Sequence, residues 1–138
     1  MLRRDAPAEL GLTATLDDSP RYRGSIHDHA VAIRMGYRGA LIPGAFVYGY
    51  MSRMAIATWG IDWARRGTIE ARFRRPVYHG DRLTLAATAL AEAEGGLRSA
   101  IAVLNQKGEE VATGGLGLNE AAPPVDLGAF PLVPVPAE

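Results

Sequence analysis

Ala40-Leu41-Ile42-Pro43-Gly44-Ala45-Phe46-Val47-Tyr48-Gly49-Tyr50-Met51-Ser52-Arg53-Met54-Ala55-Ile56-Ala57-Thr58-Trp59-Gly60-Ile61 is the longest apolar stretch of the chain, broken only by Pro43, three glycines, Ser52, Arg53 and Thr58. It reads as a helix over residues 44–59. Proline is tolerated where the first turn has no hydrogen-bond partner, so Pro43 and Gly44 suit its start and Gly60 suits its end. Phe46, Val47, Tyr50, Met51, Met54, Ala55 and Trp59 occupy several faces rather than one stripe. A helix of this kind needs cover on most sides, which predicts a sheet around it, with Val47, Met51 and Ala55 toward the interior.

Downstream of Gly67 the apolar period changes to two: Ile69, Ala71 and Phe73 alternate with Glu70, Arg72 and Arg74, as in a half-buried strand. Pro76 and the turn residues Tyr78-His79-Gly80-Asp81 lead into a second alternating run, Leu83, Leu85, Ala87 and Ala89. Gly95-Gly96 turns the chain into a third strand, Leu97 to Asn105. Lys107-Gly108 turns it into a fourth that passes Val111 toward Leu118. A helix followed by hairpin-linked strands predicts an α+β fold with an antiparallel meander. The expected organisation is one domain over residues 1–120 and a tail over 121–138, which holds five of the nine prolines and should lie extended on the surface or on a partner.

Composition narrows the function classes. A chain of 138 residues is the size of one domain and buries roughly two-thirds of its unfolded surface. The formal net charge is zero and the basic clusters are short, so nothing favours nucleic acid. Cysteine is absent, which removes disulfides, thiolate nucleophiles and cysteine metal sites, and suits a reducing cytoplasm. Met1 to Asp5 carries no apolar run of the signal-peptide kind, and no stretch reaches the ~18 apolar residues of a membrane span. The expectation is a soluble cytoplasmic protein.

Three passages between Leu16 and Leu118 resemble the MaoC-like enoyl-thioester hydratases and dehydratases. Asp17-Asp18-Ser19-Pro20-Arg21-Tyr22 is similar to that family's Asp-x-Asn-Pro-[Leu/Ile/Val]-His signature, with Ser19 in place of Asn and Tyr22 in place of His. Gly36-Tyr37-Arg38-Gly39-Ala40-Leu41-Ile42-Pro43-Gly44 resembles its aromatic-x-x-x-Ile-x-His-Gly approach to the central helix, with Pro43 where His is usual. Phe73-Arg74-Arg75-Pro76-Val77-Tyr78-His79-Gly80-Asp81 matches its Phe-x-x-Pro-Val-x-x-Gly-Asp passage at every defining position. The resemblance implies a hot-dog fold, an antiparallel sheet wrapped around one buried helix. It also implies a homodimer or a heterodimer with a related chain, no cofactor, and a coenzyme A or acyl-carrier-protein thioester of fatty-acid or polyketide metabolism beside the helix.

Hydration of a trans-2-enoyl thioester needs a base for water at C3, a donor for C2, and hydrogen bonds to the thioester oxygen where enolate charge develops. By resemblance Asp17 is the carboxylate and Gly44, at the positive end of the helix dipole, the oxyanion donor. The imidazole partner is ambiguous. The signature spacing lands on Tyr22, whose phenol normally titrates near 10 and shuttles protons poorly at neutral pH. Counting back from Gly44 lands on Ile26, or on His27 with a one-residue gap. Tyr48 and Ser52, one and two turns into the helix, stand where a substrate-binding hydroxyl is expected.

Each residue also has a purely structural reading. Asp17 suits a turn or helix cap. Tyr22 suits a buried or dimer-facing aromatic. His27 and His29 suit a solvated pair around Asp28 at a helix start. His27-Asp28-His29 has no further ligand for a metal, so none is expected. His79 suits an exposed turn. Arg72, Arg74 and Arg75 suit either thioester-carrier phosphates or a solvated strand face. Tyr48 and Ser52 suit ordinary helix packing.

The leading expectation is an acyl-thioester hydratase or dehydratase. The degenerate signature keeps open a non-catalytic hot-dog subunit or acyl-thioester-binding domain. A hot-dog thioesterase comes third, because that chemistry sets a carboxylate on the central helix and Gly44 to Trp59 has none; Asp62 follows too late.

Overall fold

Helix α2, Gly44–Trp59, is the longest in the computed structural model, and it starts and ends where Pro43 and Gly60 predict. The described residues are 6–93, 95–122 and 124–137; the Met1 to Asp5 segment lies outside them, as does the start of the expected domain. Before α2 come strand β1, Leu10–Thr13, a 3-10 turn at Pro20–Tyr22 and a short helix α1, His29–Arg34. After it come helix α3, Ile61–Arg66, and strands β2, Gly67–Phe73, β3, Arg82–Ala87, β4, Ala91–Ala93, β5, Gly96–Leu104, and β6, Glu110–Asn119.

These strands form one antiparallel six-stranded sheet in the order β1-β3-β5-β6-β2, with β4 paired to β5 off that path. The α+β hot-dog architecture is therefore present. The simple meander is not: β2 pairs with β6 at one edge, and residues 74–81 carry the chain past β6 and β5 to β3. The hydrophobic pattern specifies which face of β2 is buried but not which neighbour it takes. β1, α1, α3 and β4 are short elements that the apolar periods do not announce.

Val47, Met51, Met54, Ala55 and Trp59 of α2 are buried against Leu83, Leu85, Ile101, Val103, Leu116 and Leu118 of the sheet. Each large apolar side chain so buried stabilises the fold by about 1.5–3 kcal/mol. The sheet covers the helix less completely than its composition predicts. Tyr48 and Ile56 remain 39% and 44% exposed, because one sheet lies against one side of α2. Phe73 also departs from the alternation of Ile69 and Ala71. It is 56% exposed, because β2 runs past the body of α2 and its last ring lies over the open helix start.

Beyond Asn119 the described residues contain only a 3-10 turn at Leu127–Ala129, and Val125, Leu127, Phe130, Leu132, Val133 and Val135 are exposed. No helix among the described residues is long and apolar enough to cross a membrane.

Candidate active site

The Tyr78-His79-Gly80-Asp81 turn organises the loops around the start of α2. Gly80 has φ of 89°, a left-handed conformation that a side chain would strain. Asp81 is only 3% exposed. Its Oδ2 accepts the Tyr78 N–H at 2.9 Å, and its Oδ1 accepts Gln106 Nε2 at 3.1 Å and Arg38 Nη2 at 3.3 Å. The Arg38 guanidinium also lies 4.2 Å from the Tyr78 ring centroid. Three loops thus meet on one buried carboxylate, a physical reason for Gly-Asp at this point of the chain.

The segment that follows β1 is tied to the same turn. Ala14 N–H donates to the Asp81 carbonyl, and Gly80 N–H to the Ala14 carbonyl, both at 2.8 Å. Leu16 N–H donates to Nδ1 of His79 at 2.9 Å. Burial in α2 pushes the Tyr50 phenol above its usual range, partly offset by a backbone hydrogen bond from Thr15. Asp17 follows directly and is exposed.

Asp17, Tyr22, His27 and His79 line one cavity of about 290 Å³, together with Leu16, Asp18 and others from the same loops. The spacing conflict between Tyr22 and His27 therefore ends in proximity, with their rings edge to face at a centroid distance of 5.7 Å. Tyr22 is further engaged by Arg21, whose Nη2 lies 2.6 Å from the phenol oxygen. His27 points Nδ1 at the Leu41 carbonyl, 2.7 Å away. A carbonyl only accepts, so Nδ1 carries the proton and the neutral ring keeps its lone pair on Nε2. Leu41 N–H in turn donates to Ile26 O at 3.0 Å, and Ile42 N–H to Val77 O at 2.7 Å, which fixes the backbone on both sides of that ring.

His27 also lines a second cavity of about 290 Å³, whose wall includes Gly44, Val47, Phe73, Arg74 and Arg75. No side chain caps α2, so the Gly44 N–H has no intrahelical acceptor at the positive end of a 16-residue helix. A Cβ on residue 44 would press on the Phe73 ring at 3.0 Å, so glycine is what allows the ring to lie beside the helix start. Arg74 and Arg75 are half-exposed and loosely paired with Glu110 and Glu109 at 3.7 and 3.6 Å.

Of the remaining candidates, Asp28 and His29 also line the Asp17 cavity, whereas Tyr48, Ser52 and Asp62 do not. Tyr48 and Ser52 line neither cavity, and the Ser52 hydroxyl donates back to the Tyr48 carbonyl at 3.0 Å. The Asp28 carboxylate caps α1, accepting the Ala30 N–H at 3.0 Å and the Gly24 N–H at 3.2 Å. These backbone donors, Gly24 first, hold it below the usual carboxylate range. Of the two histidines around Asp28, His29 is exposed at the start of α1, whereas the His27 ring is half-buried and turned toward Leu41, so the two do not form a solvated pair. Asp62 sits on α3, 3.4 Å from Arg66. Among the described residues no cluster of three or more ligating side chains could hold a metal. Sequence reasoning missed His79 and Asp81 as organisers of the Asp17 segment. The only signal was a histidine beside a Gly-Asp turn.

No family profile and no curated protein sequence matches the chain. Solved structures do match its fold. The ChsH1-ChsH2 complex from Mycobacterium tuberculosis gives a TM-score of 0.67 at 18% identity, over 86% of this chain and 97% of that one. An (R)-hydratase from A. caviae involved in PHA biosynthesis gives 0.63 at 17% identity, with the same coverage. A MaoC-like dehydratase from Phytophthora capsici gives 0.66 at 20% identity, over 88% of this chain and 42% of that longer one. The fold is the hot-dog of the MaoC-like hydratases and dehydratases.

Proposed function

We propose that the chain hydrates trans-2-enoyl thioesters, or dehydrates the corresponding 3-hydroxyacyl thioesters, with Asp17 and His27 as the acid-base pair and the Gly44 N–H as the oxyanion donor. The observation that carries this reading is the position of His27. Its ring lines both the cavity that holds Asp17 and the cavity that holds Gly44, and its Nδ1 bond to Leu41 leaves Nε2 able to accept a proton. In hydration, Nε2 and the Asp17 carboxylate take the proton of a water whose oxygen bonds to C3. The thioester oxygen gains enolate charge against the Gly44 N–H, and the proton then passes to C2 as the enolate collapses. Tyr22, edge-on to His27, steadies the imidazole and takes no proton itself. Arg74 and Arg75, on the wall of the Gly44 cavity, suit the phosphates of a coenzyme A or carrier-bound pantetheine.

The test is loss of the conjugated thioester's ultraviolet absorbance with crotonyl-coenzyme A and longer enoyl thioesters. Turnover that disappears in Asp17→Asn supports the reading. Inactivity on every acyl length, with the protein still stabilised against heat by enoyl thioesters, supports the second reading, a thioester-binding subunit of a heterodimer. The exposed position of Asp17 and the replacement of the signature Asn and His by Ser19 and Tyr22 favour that second reading. In both, the partly exposed Tyr48 and Ile56 side of α2 is closed by a related hot-dog chain. For a homodimer, light scattering should give about twice 14.7 kDa.

A further inference from the structure

The Leu16 N–H bond to His79 is the last described hydrogen bond that holds the backbone before Asp17. Asp17 and Asp18 make none of their own among the described residues, and the next tie is Tyr22 N–H to Ser19 O at 3.1 Å. Upstream the chain is well held: Ala14 is fully buried and bonded through both its N–H and its carbonyl to the Gly80-Asp81 turn. His79 extends that zipper by two residues, up to the position where a carboxylate faces the cavity. It does so with a side chain, at a point where no strand pairing continues. Only a ring with an unprotonated Nδ1 can accept this bond, so the neutral tautomer with its proton on Nε2 is selected.

We propose that His79 is a positioning residue for Asp17, fixing the carboxylate in the cavity by clamping the Leu16 N–H. This rests on the hydratase reading for its catalytic consequence, but the clamp itself is testable without turnover. A displacement of about 1 Å in a catalytic group costs on the order of 10²-fold in rate, so a backbone tether beside a general base has kinetic weight.

The experiment compares wild type with His79→Ala, His79→Asn, Asp17→Asn and the double variant Asp17→Asn/His79→Ala. Amide hydrogen exchange at Leu16 reads the clamp, and kcat and KM for enoyl-thioester hydration read its consequence. His79→Ala should speed Leu16 exchange and lower kcat by about 10- to 100-fold with KM nearly unchanged. His79→Asn, whose Oδ1 takes the place of Nδ1 as acceptor, should restore both. In the Asp17→Asn background His79→Ala should cost nothing further, because it acts through that carboxylate. Full turnover in His79→Ala, an additive loss in the double variant, or failure of Asn to restore activity while it restores protection would each overturn the proposal. A wild type without turnover overturns the hydratase reading and the positioning role with it. Leu16 exchange then still separates a clamp without catalysis from no clamp at all.

Discussion

His27 Nδ1 and the Leu41 carbonyl, 14 positions apart in sequence, are joined by a 2.7 Å hydrogen bond that orients the imidazole between two cavities. One cavity holds the carboxylate of Asp17 and the other the open N-terminus of α2, so this bond aligns the only imidazole common to both linings. The same bond decides which nitrogen is basic.

The two aromatic neighbours should therefore differ sharply in kinetics. His27→Ala should lower hydration by ~10²–10⁴-fold, the range of a lost general acid-base group, and match Asp17→Asn. Tyr22→Phe keeps the ring against His27 and should cost less than tenfold. Steady-state kinetics of the three variants decide it; a larger loss in Tyr22→Phe than in His27→Ala would reverse the assignment.

Met51 is fully buried at the centre of α2. Met51→Ala should destabilise the domain by about 2–5 kcal/mol through lost burial and a residual cavity. Met51→Asp buries a charge without a partner and should leave no folded domain at room temperature. Thermal melts followed by circular dichroism measure both, and an unchanged Tm in Met51→Asp would show that α2 does not sit in the core.

Asp81 joins Tyr78, Arg38 and Gln106, and hydrogen bonds to a charged group contribute about 1.5–3 kcal/mol each. Asp81→Ala should lower stability by at least that amount and loosen the Ala14–Leu16 segment, visible as faster amide exchange there. Asp81→Asn keeps one acceptor and should lose less. Equal melting of the three proteins would show that the carboxylate does not hold the turn.

Asp28 gives a pH dependence whose sign follows from its depressed pKa. Its carboxylate is favoured in the folded state by the Gly24, Ala30 and Val31 backbone, so its stabilising effect is complete above the ordinary value of 3.8 and is lost as pH falls through the lower folded value. Acidification below about 3.8 should speed exchange of the α1 amides, beginning with Ala30. Asp28→Asn should flatten that dependence while keeping most of the cap. A pH response of α1 that is the same in Asp28→Asn would assign it to another group.

The sequence by itself determined the central helix, the four long strands and the turn residues between them. Those properties follow from local period and backbone preference: Pro43 and Gly60 bound the helix, Ile69 and Ala71 alternate, and Gly80 supplies the left-handed turn. It also brought Asp17, Tyr22, His27 and Gly44 into consideration, through resemblance rather than pattern. Tertiary structure alone decided that β2 pairs with β6, that Phe73 lies over Gly44, and that His79 reaches Leu16 across 63 positions. The same holds for the choice of Leu41 as the acceptor for His27. These are long-range contacts between loops, where no period constrains the chain. Which donor meets which acceptor is set only when the sheet and helix have fixed the ends of every loop.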